Sequence, residues 1–202
     1  MKQFYRKAVS AVAFVLLGLI HIGFVQANIG NSLLLTGFSE NEITGRMGVY
    51  DSNPLDEDQG IKMSIVGEDA LGKPGGKALR LDYDVDSWKQ AKVQFWIELE
   101  QKDLSAFDTL HFYMRGDSEK GCTKNVMVRF MDGDNRVAPY IVTGIRDQWK
   151  EFEIPFKRFS RIRDWSQMKE FGIVFDDVNS NPKEGALYVD EISVSSGIQG
   201  AK

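Results

Sequence analysis

Two stretches decide the fold: Leu79-Arg80-Leu81-Asp82-Tyr83-Asp84-Val85-Asp86 and Val93-Gln94-Phe95-Trp96-Ile97-Glu98-Leu99-Glu100. Apolar residues occupy every second position in the first stretch, and the second keeps the same period. Successive side chains of a β-strand point to opposite faces, so this pattern predicts strands with one buried and one exposed face. Two such strands close together in the chain favour an antiparallel, all-β fold.

The same period continues outward from these stretches. We predict at least eight strands, near residues 79–86, 93–100, 110–115, 126–131, 139–143, 149–154, 171–175 and 186–194. Turn-forming Gly, Pro, Asp and Asn residues separate them. Short helices are predicted only at 103–107 and 164–170, each opened by an Asp that could cap exposed N–H groups. The sequence has no internal repeat, and we therefore predict one antiparallel jelly-roll β-sandwich of about eight to ten strands with short helical turns.

The composition excludes several classes of protein. The chain has 202 residues, 43% of them hydrophobic, and a net charge of -4 from 25 basic and 29 acidic residues. This length is typical of one domain, and no basic block after residue 10 resembles a nucleic-acid-binding surface. The single cysteine, Cys122, excludes an intrachain disulfide and a Cys-rich zinc site. Two histidines are too few for a site built on several imidazoles.

The N-terminus has the pattern of an export signal. Lys2, Arg6 and Lys7 precede an apolar run over residues 8–25, and Val25-Gln26-Ala27 resembles a cleavage site. The pattern predicts a signal peptide over 1–27 and a domain over 28–202 that is periplasmic or secreted, with no membrane span after cleavage. An uncleaved anchor is the alternative, because about 18 apolar residues can almost span a bilayer.

Four motifs, taken in order, resemble a known fold. They are Gly76-Lys77-Ala78-Leu79-Arg80-Leu81-Asp82-Tyr83, Asp103-Leu104-Ser105 leading to Leu110-His111-Phe112, Trp149-Lys150-Glu151-Phe152-Glu153-Ile154-Pro155-Phe156, and Leu187-Tyr188-Val189-Asp190-Glu191-Ile192. This order resembles the galactose-binding-domain-like jelly roll. Within that fold, the chain is similar to non-catalytic carbohydrate-binding modules of the β-glucan-binding kind and to the complex I intermediate-associated protein 30 domain. The resemblance implies a jelly roll and carbohydrate binding.

The residues themselves suggest a ligand face. Trp96 and Tyr113 fall on the polar phase of two successive strands, where aromatic side chains are unexpected. A sugar ring can stack its C–H face on an aromatic plane, while Arg and carboxylate groups bind its hydroxyls. We therefore expect a polysaccharide or oligosaccharide on the outer face of one sheet. The expected ligand-binding residues are Trp96, Tyr113, Arg115, Arg129, His111 and Glu98. Alternatively, Trp96 and Tyr113 form an ordinary cross-strand pair or lie beneath the N-terminal segment.

The resemblance also implies a structural Ca²⁺ site. Related modules often hold calcium with an acid near the first strand and an Asp of the final strand, which here correspond to Glu40 and Asp190. The sequence departs from the pattern at the first position, because the family's acid directly follows Phe and here Ser39 follows Phe38.

The aspartates of the first stretch, Asp82, Asp84 and Asp86, share one face of their strand. We expect them to pair with opposite charges, with calcium binding as the alternative. If residues 79–86 and 93–100 form a hairpin, Asp86 pairs with Lys92 and Asp84 with Gln94.

The combined analysis predicts an exported, non-catalytic module that binds a glycan. The runner-up is a protein-interaction or assembly-factor module of the same fold, with an envelope protein as its partner. A glycoside-active enzyme is the third possibility. It is disfavoured because Glu98 and Glu100 show no sign of burial, and adjacent Asp176 and Asp177 point to opposite faces of a strand.

Overall fold

The computed structural model describes residues 31–39, 42–67 and 76–197, which form two antiparallel β-sheets. The predicted signal peptide and Glu40 lie outside these residues. The strands are β1 (Ser32–Thr36), β2 (Met47–Asp51), β3 (Gly60–Val66), β4 (Ala78–Asp84), β5 (Lys92–Lys102), β6 (Thr109–Gly116), β7 (Asn125–Asp132), β8 (Val137–Thr143), β9 (Lys150–Pro155), β10 (Met168–Asp176) and β11 (Glu184–Ser195).

The two sheets form a sandwich. Sheet A has the order β3-β4-β11-β6-β9, with β1 also paired to β11, and sheet B has the order β2-β5-β10-β7-β8. The predicted jelly-roll β-sandwich is confirmed, and so are all eight predicted strands. Within the described ranges, no helix is long and apolar enough to cross a membrane.

Strands β1, β2 and β3 were not predicted from the sequence. β2 and β3 are edge strands, and most of their side chains are at least partly exposed. A strand without a fully buried face has no need to alternate apolar and polar residues, and β2 has no regular alternation. β3 does alternate over Ile61-Lys62-Met63-Ser64-Ile65, and the sequence analysis missed it. β1 begins with Ser32 and runs through three consecutive leucines, which also hides the period.

The two predicted helices are wrong. Residues 103–107 and 164–167 form turns and irregular structure, and residues 168–170 belong to β10. The aspartates accept local hydrogen bonds without starting a helix: the Ser105 N–H donates to Asp103 Oδ1 at 2.9 Å, and the Ser166 N–H donates to Asp164 Oδ1 at 2.9 Å. These are the side-chain turns that Asp favours outside helices. The regular helix in the described residues is one 3-10 turn, Phe156–Arg158.

Residues 79–86 and 93–100 do not form the hairpin considered from the sequence. β4 pairs with β3 and β11 in sheet A, whereas β5 pairs with β2 and β10 in sheet B. The chain therefore crosses the sandwich between these strands, and it crosses back between β5 and β6. Asp86 consequently does not pair with Lys92, nor Asp84 with Gln94.

The core lies between the inward faces of the sheets. Tyr83 of sheet A stacks on Phe175 of sheet B with ring centroids 4.2 Å apart, and both side chains are buried. A second aromatic group surrounds Phe130, whose ring lies 5.2 Å from Trp165 and 5.9 Å from Phe156. Such contacts fix the two sheets against each other, so the outward faces are rigid supports for functional side chains.

Candidate functional site

The outer face of sheet B carries a row of residues across four strands. Trp96 on β5 lies opposite Gly48 on β2 and Gly172 on β10, and Gly172 lies opposite Arg129 on β7. Directly opposed residues in a sheet point to the same side. Trp96 and Arg129 therefore share one face, which we call the sheet B face, and a glycine separates them.

The two glycines make room for larger side chains. A Cβ atom at Gly48 would lie 2.7 Å from Cζ2 of Trp96, so the indole lies directly over this glycine. A Cβ atom at Gly172 would lie 2.8 Å from Nε2 of Gln94 and 3.3 Å from Nε of Arg129. The missing side chains thus allow the indole and a polar group to lie close against the sheet.

That polar group joins Gln94, Arg129 and Glu170. Gln94 Nε2 donates to Glu170 Oε1 at 2.9 Å, and Arg129 Nη2 forms an ion pair with the same oxygen. The Arg129 and Glu170 side chains are only 15% and 19% exposed. Arg129 Nε is buried and has no hydrogen-bond partner among the described residues. The Glu170 carboxylate, which is partly exposed, can accept a hydrogen bond from a ligand hydroxyl.

A groove of about 340 Å³ lies beside Trp96 on this face. Its lining includes Met131, Lys169 and Glu170 together with an ion pair between Arg46 and Glu98. Arg46 donates to both Glu98 oxygens, at 2.6 and 3.0 Å, and these hydrogen bonds hold the Glu98 pKa below its ordinary value. Because the Arg46 side chain is 79% exposed, the pair contributes little to stability and can exchange its partners for a ligand.

Tyr50 is an aromatic residue on this face that the sequence analysis missed. It pairs with Gln94 across β2 and β5, two positions from Trp96 along β5, and it is 54% exposed. Arg46, Gln94 and Glu170 were missed as well. Tyr50 and Arg46 could be recognised only if β2 had been predicted as a strand. Gln94 and Glu170 look like ordinary exposed polar positions in the sequence.

The six predicted ligand-binding residues do not share one face, so this part of the prediction is wrong. Trp96, Glu98 and Arg129 lie on sheet B, whereas His111, Tyr113 and Arg115 lie on β6 of sheet A, across the core. Trp96 and Tyr113 are therefore not a cross-strand pair either.

The outer face of sheet A near β6 is rich in internal contacts. The Arg115 guanidinium lies 4.2 Å from the Tyr188 ring centroid and 5.6 Å from that of Trp149. The Tyr188 hydroxyl donates to Asp117 at 2.9 Å, and Arg80 forms an ion pair with Asp117 at 2.8 Å. These aromatic and charged groups therefore contact one another across β4, β6 and β11.

The predicted calcium ligands remain a prediction. Asp190 is 4% exposed, and its Oδ1 accepts the Glu191 N–H at 2.8 Å, while Glu40 lies outside the described residues. Asp82 forms ion pairs with Arg80 at 3.0 Å and Lys120 at 3.4 Å, which supports charge pairing for this aspartate.

Comparison with known proteins identifies the family. The model of the carbohydrate binding domain 30 family matches residues 40–196, most of the chain. The chain belongs to this family. Among the curated proteins, the search found no match.

Solved carbohydrate-binding modules share the fold. The family 11 carbohydrate-binding module of a cellulosomal cellulase from Clostridium thermocellum has 16% identity and a TM-score of 0.63, covering 86% of this chain and 99% of that one. The same organism's family 11 module in complex with a β-1,3-1,4-mixed-linked tetrasaccharide has 17% identity and a TM-score of 0.60, covering 82% and 95%. An exo-β-agarase matches with 12% identity and a TM-score of 0.59, covering 80% of this chain and 24% of the agarase. At these identities, the likeness shows the fold.

Proposed function

We propose that this carbohydrate-binding domain is a non-catalytic module of an exported protein and binds an uncharged glycan chain on the sheet B face. One observation carries the proposal: Trp96 and the carboxylates of Glu98 and Glu170 line the same groove. An aromatic surface and charged hydrogen-bonding groups are the two elements that a sugar ring requires, one for its C–H face and the other for its hydroxyls.

The charges on this face favour an uncharged ligand. Arg46 is paired with Glu98 and Arg129 with Glu170, so the basic and acidic groups offset one another. An anionic glycan would have to compete with these carboxylates for the guanidinium groups, whereas hydroxyls can hydrogen-bond to both partners of each pair.

The first probe is a β-glucan. A family 11 module of the same fold has been solved with a β-1,3-1,4-mixed-linked tetrasaccharide, which supports this choice for the present chain. Tyr50 and Trp96 stand on adjacent strands of the same face, and two aromatic side chains can contact more than one sugar of an extended chain.

Trp96→Ala tests the proposal, and Trp88→Ala is its matched control. Trp88 is 80% exposed in the β4–β5 loop, away from the row that carries Trp96. Loss of an aromatic stacking partner typically costs about 1–3 kcal/mol, so Trp96→Ala should weaken binding of the tetrasaccharide at least fivefold. Calorimetric titration measures the affinity, and thermal unfolding checks that both variants remain folded.

Three outcomes contradict the proposed site. Trp96→Ala could keep the wild-type affinity, or Trp88→Ala could lose it instead. Tyr113→Ala, a change on sheet A, could abolish binding although its side chain lies on the opposite face. A wild-type chain that binds no β-glucan, mannan or galactan but captures one envelope protein would favour the interaction-module alternative.

A further inference from the structure

A histidine and two glutamates meet on the outer face of sheet A, away from the proposed glycan face. His111 on β6 lies opposite Glu153 on β9, and Glu151 lies two residues before Glu153 on the same side of the strand. His111 Nδ1 is 3.6 Å from Glu151 Oε1 and 3.8 Å from Glu153 Oε1. The three ligand atoms all lie within 4.8 Å of one another.

These distances fit a shared metal ion. Zinc binds His nitrogen and carboxylate oxygen at about 2.0–2.2 Å, which places adjacent ligands of a tetrahedral site about 3.4 Å apart. The two nitrogen–oxygen distances exceed this spacing by only a few tenths of an ångström. Both glutamates are substantially exposed, at 43% and 65%, so small rotations of their side chains can close the difference.

A fourth residue orients the imidazole. His111 Nε2 lies 2.7 Å from Ser195 Oγ on β11, the strand on the other side of β6. When Nε2–H donates to this hydroxyl, Nδ1 carries the lone pair and directs it towards the two carboxylates. Metal-binding histidines usually have such a partner on the second ring nitrogen.

We propose that His111, Glu151 and Glu153 bind one Zn²⁺ ion, with water in the remaining coordination position. One imidazole and two carboxylates suit a first-row transition ion, whereas Ca²⁺ requires six to eight oxygen ligands. The site is separate from the calcium pair expected at Glu40 and Asp190. Because β9 is an edge strand of sheet A, the ion would link this edge to β6.

Calorimetric titration of the full chain with ZnCl₂ tests the site. We expect one ion per chain, and at least tenfold weaker binding in His111→Gln and in the double variant Glu151→Gln, Glu153→Gln. Ser195→Ala keeps all three ligands but removes the orienting hydroxyl, so it should weaken binding about tenfold or more. Zn²⁺ should raise the melting temperature of the wild type, because a ligand bound only to the folded state stabilises it.

Two controls separate this site from adventitious binding. Glu119→Gln and Asp147→Asn each remove an exposed carboxylate elsewhere on the domain. Both should bind Zn²⁺ like the wild type. Co²⁺ should give the visible absorption of a low-coordinate site in the wild type and not in His111→Gln. The proposal is wrong if the wild type shows no one-to-one binding, or if His111→Gln binds Zn²⁺ with unchanged affinity.

Discussion

Trp96 occupies the space that a side chain at position 48 would need. A Cβ atom built on Gly48 comes within 2.7 Å of Cζ2 and 3.0 Å of Cε2 of the indole. Contacts this short are not tolerated, and the near atoms belong to a rigid ring. The glycine on the edge strand β2 therefore determines where the aromatic surface on β5 lies.

Gly48→Ala should displace the indole and weaken glycan binding by about 1 kcal/mol, roughly fivefold. Tryptophan fluorescence should report the new environment of Trp96, and calorimetry should report the affinity. The matched control is Gly60→Ala on β3, where a Cβ atom would meet no atom within 4 Å. Equal affinities for the two variants would show that the position of the indole does not matter for binding.

Glu170→Ala should destabilise the fold because it removes the partner of a largely buried guanidinium. Arg129 is 15% exposed, and loss of its charged partner should cost about 1–3 kcal/mol. Urea unfolding measures this loss. Adding Arg129→Met to Glu170→Ala removes the unpaired charge and should recover part of the stability. A double variant as unstable as the sum of its two single variants would refute coupling between these residues.

The strands of the core were predictable because burying one face of a strand requires apolar residues at alternate positions of its sequence. On β6, the apolar residues Leu110, Phe112 and Met114 are fully buried, while their neighbours His111 and Tyr113 are not. Each such strand must place alternate side chains in the core, and the period of two follows from that requirement alone.

The pairing of the strands was not predictable in the same way. The period identifies which side chains point outward, but it does not identify the sheet to which the strand belongs. Trp96 and Tyr113 are both outward residues of consecutive strands, yet β5 and β6 lie in different sheets. The residues of the proposed face were therefore only partly predicted: Trp96, Glu98 and Arg129 lie on sheet B, and Tyr50 was missed because it lies on an exposed edge strand.

Chelation should test the predicted calcium site at Glu40 and Asp190. If one Ca²⁺ is bound only in the folded state, adding CaCl₂ to EDTA-treated protein should raise the melting temperature, and Asp190→Asn should remove this response to Ca²⁺. Elemental analysis of the purified chain should find one calcium. His111→Gln provides the control, because it affects the proposed zinc site and should keep the response to added Ca²⁺. If EDTA leaves the melting curve unchanged and elemental analysis finds no calcium, the predicted calcium site is contradicted.

Export should leave a shortened chain. The sequence Val25-Gln26-Ala27 after a basic start predicts cleavage after Ala27, so intact-mass analysis of the exported protein should give a chain that begins at Asn28. Ala27→Arg should block processing, because the cleavage site requires a small residue. Recovery of the full chain from membranes would instead support the uncleaved anchor.

Asp117 should make stability depend on pH in the acid range. Burial opposes its ionisation, but hydrogen bonds from the Lys120 and Glu119 N–H groups and the Tyr188 hydroxyl, with the charge of Arg80, lower its pKa from 3.8 to about 2. The folded state thus binds this proton more weakly than the unfolded state. Its contribution to stability is complete above pH 3.8 and is lost as the pH falls towards 2.

Asp117→Asn should therefore lower the free energy of unfolding at pH 7 and flatten its dependence on pH between about 4 and 2. Urea unfolding at a series of pH values measures both effects. Asp147→Asn replaces an exposed carboxylate and should keep the wild-type profile. If Asp117→Asn loses stability in parallel with the wild type over this range, then Asp117 is not the group whose protonation weakens the fold.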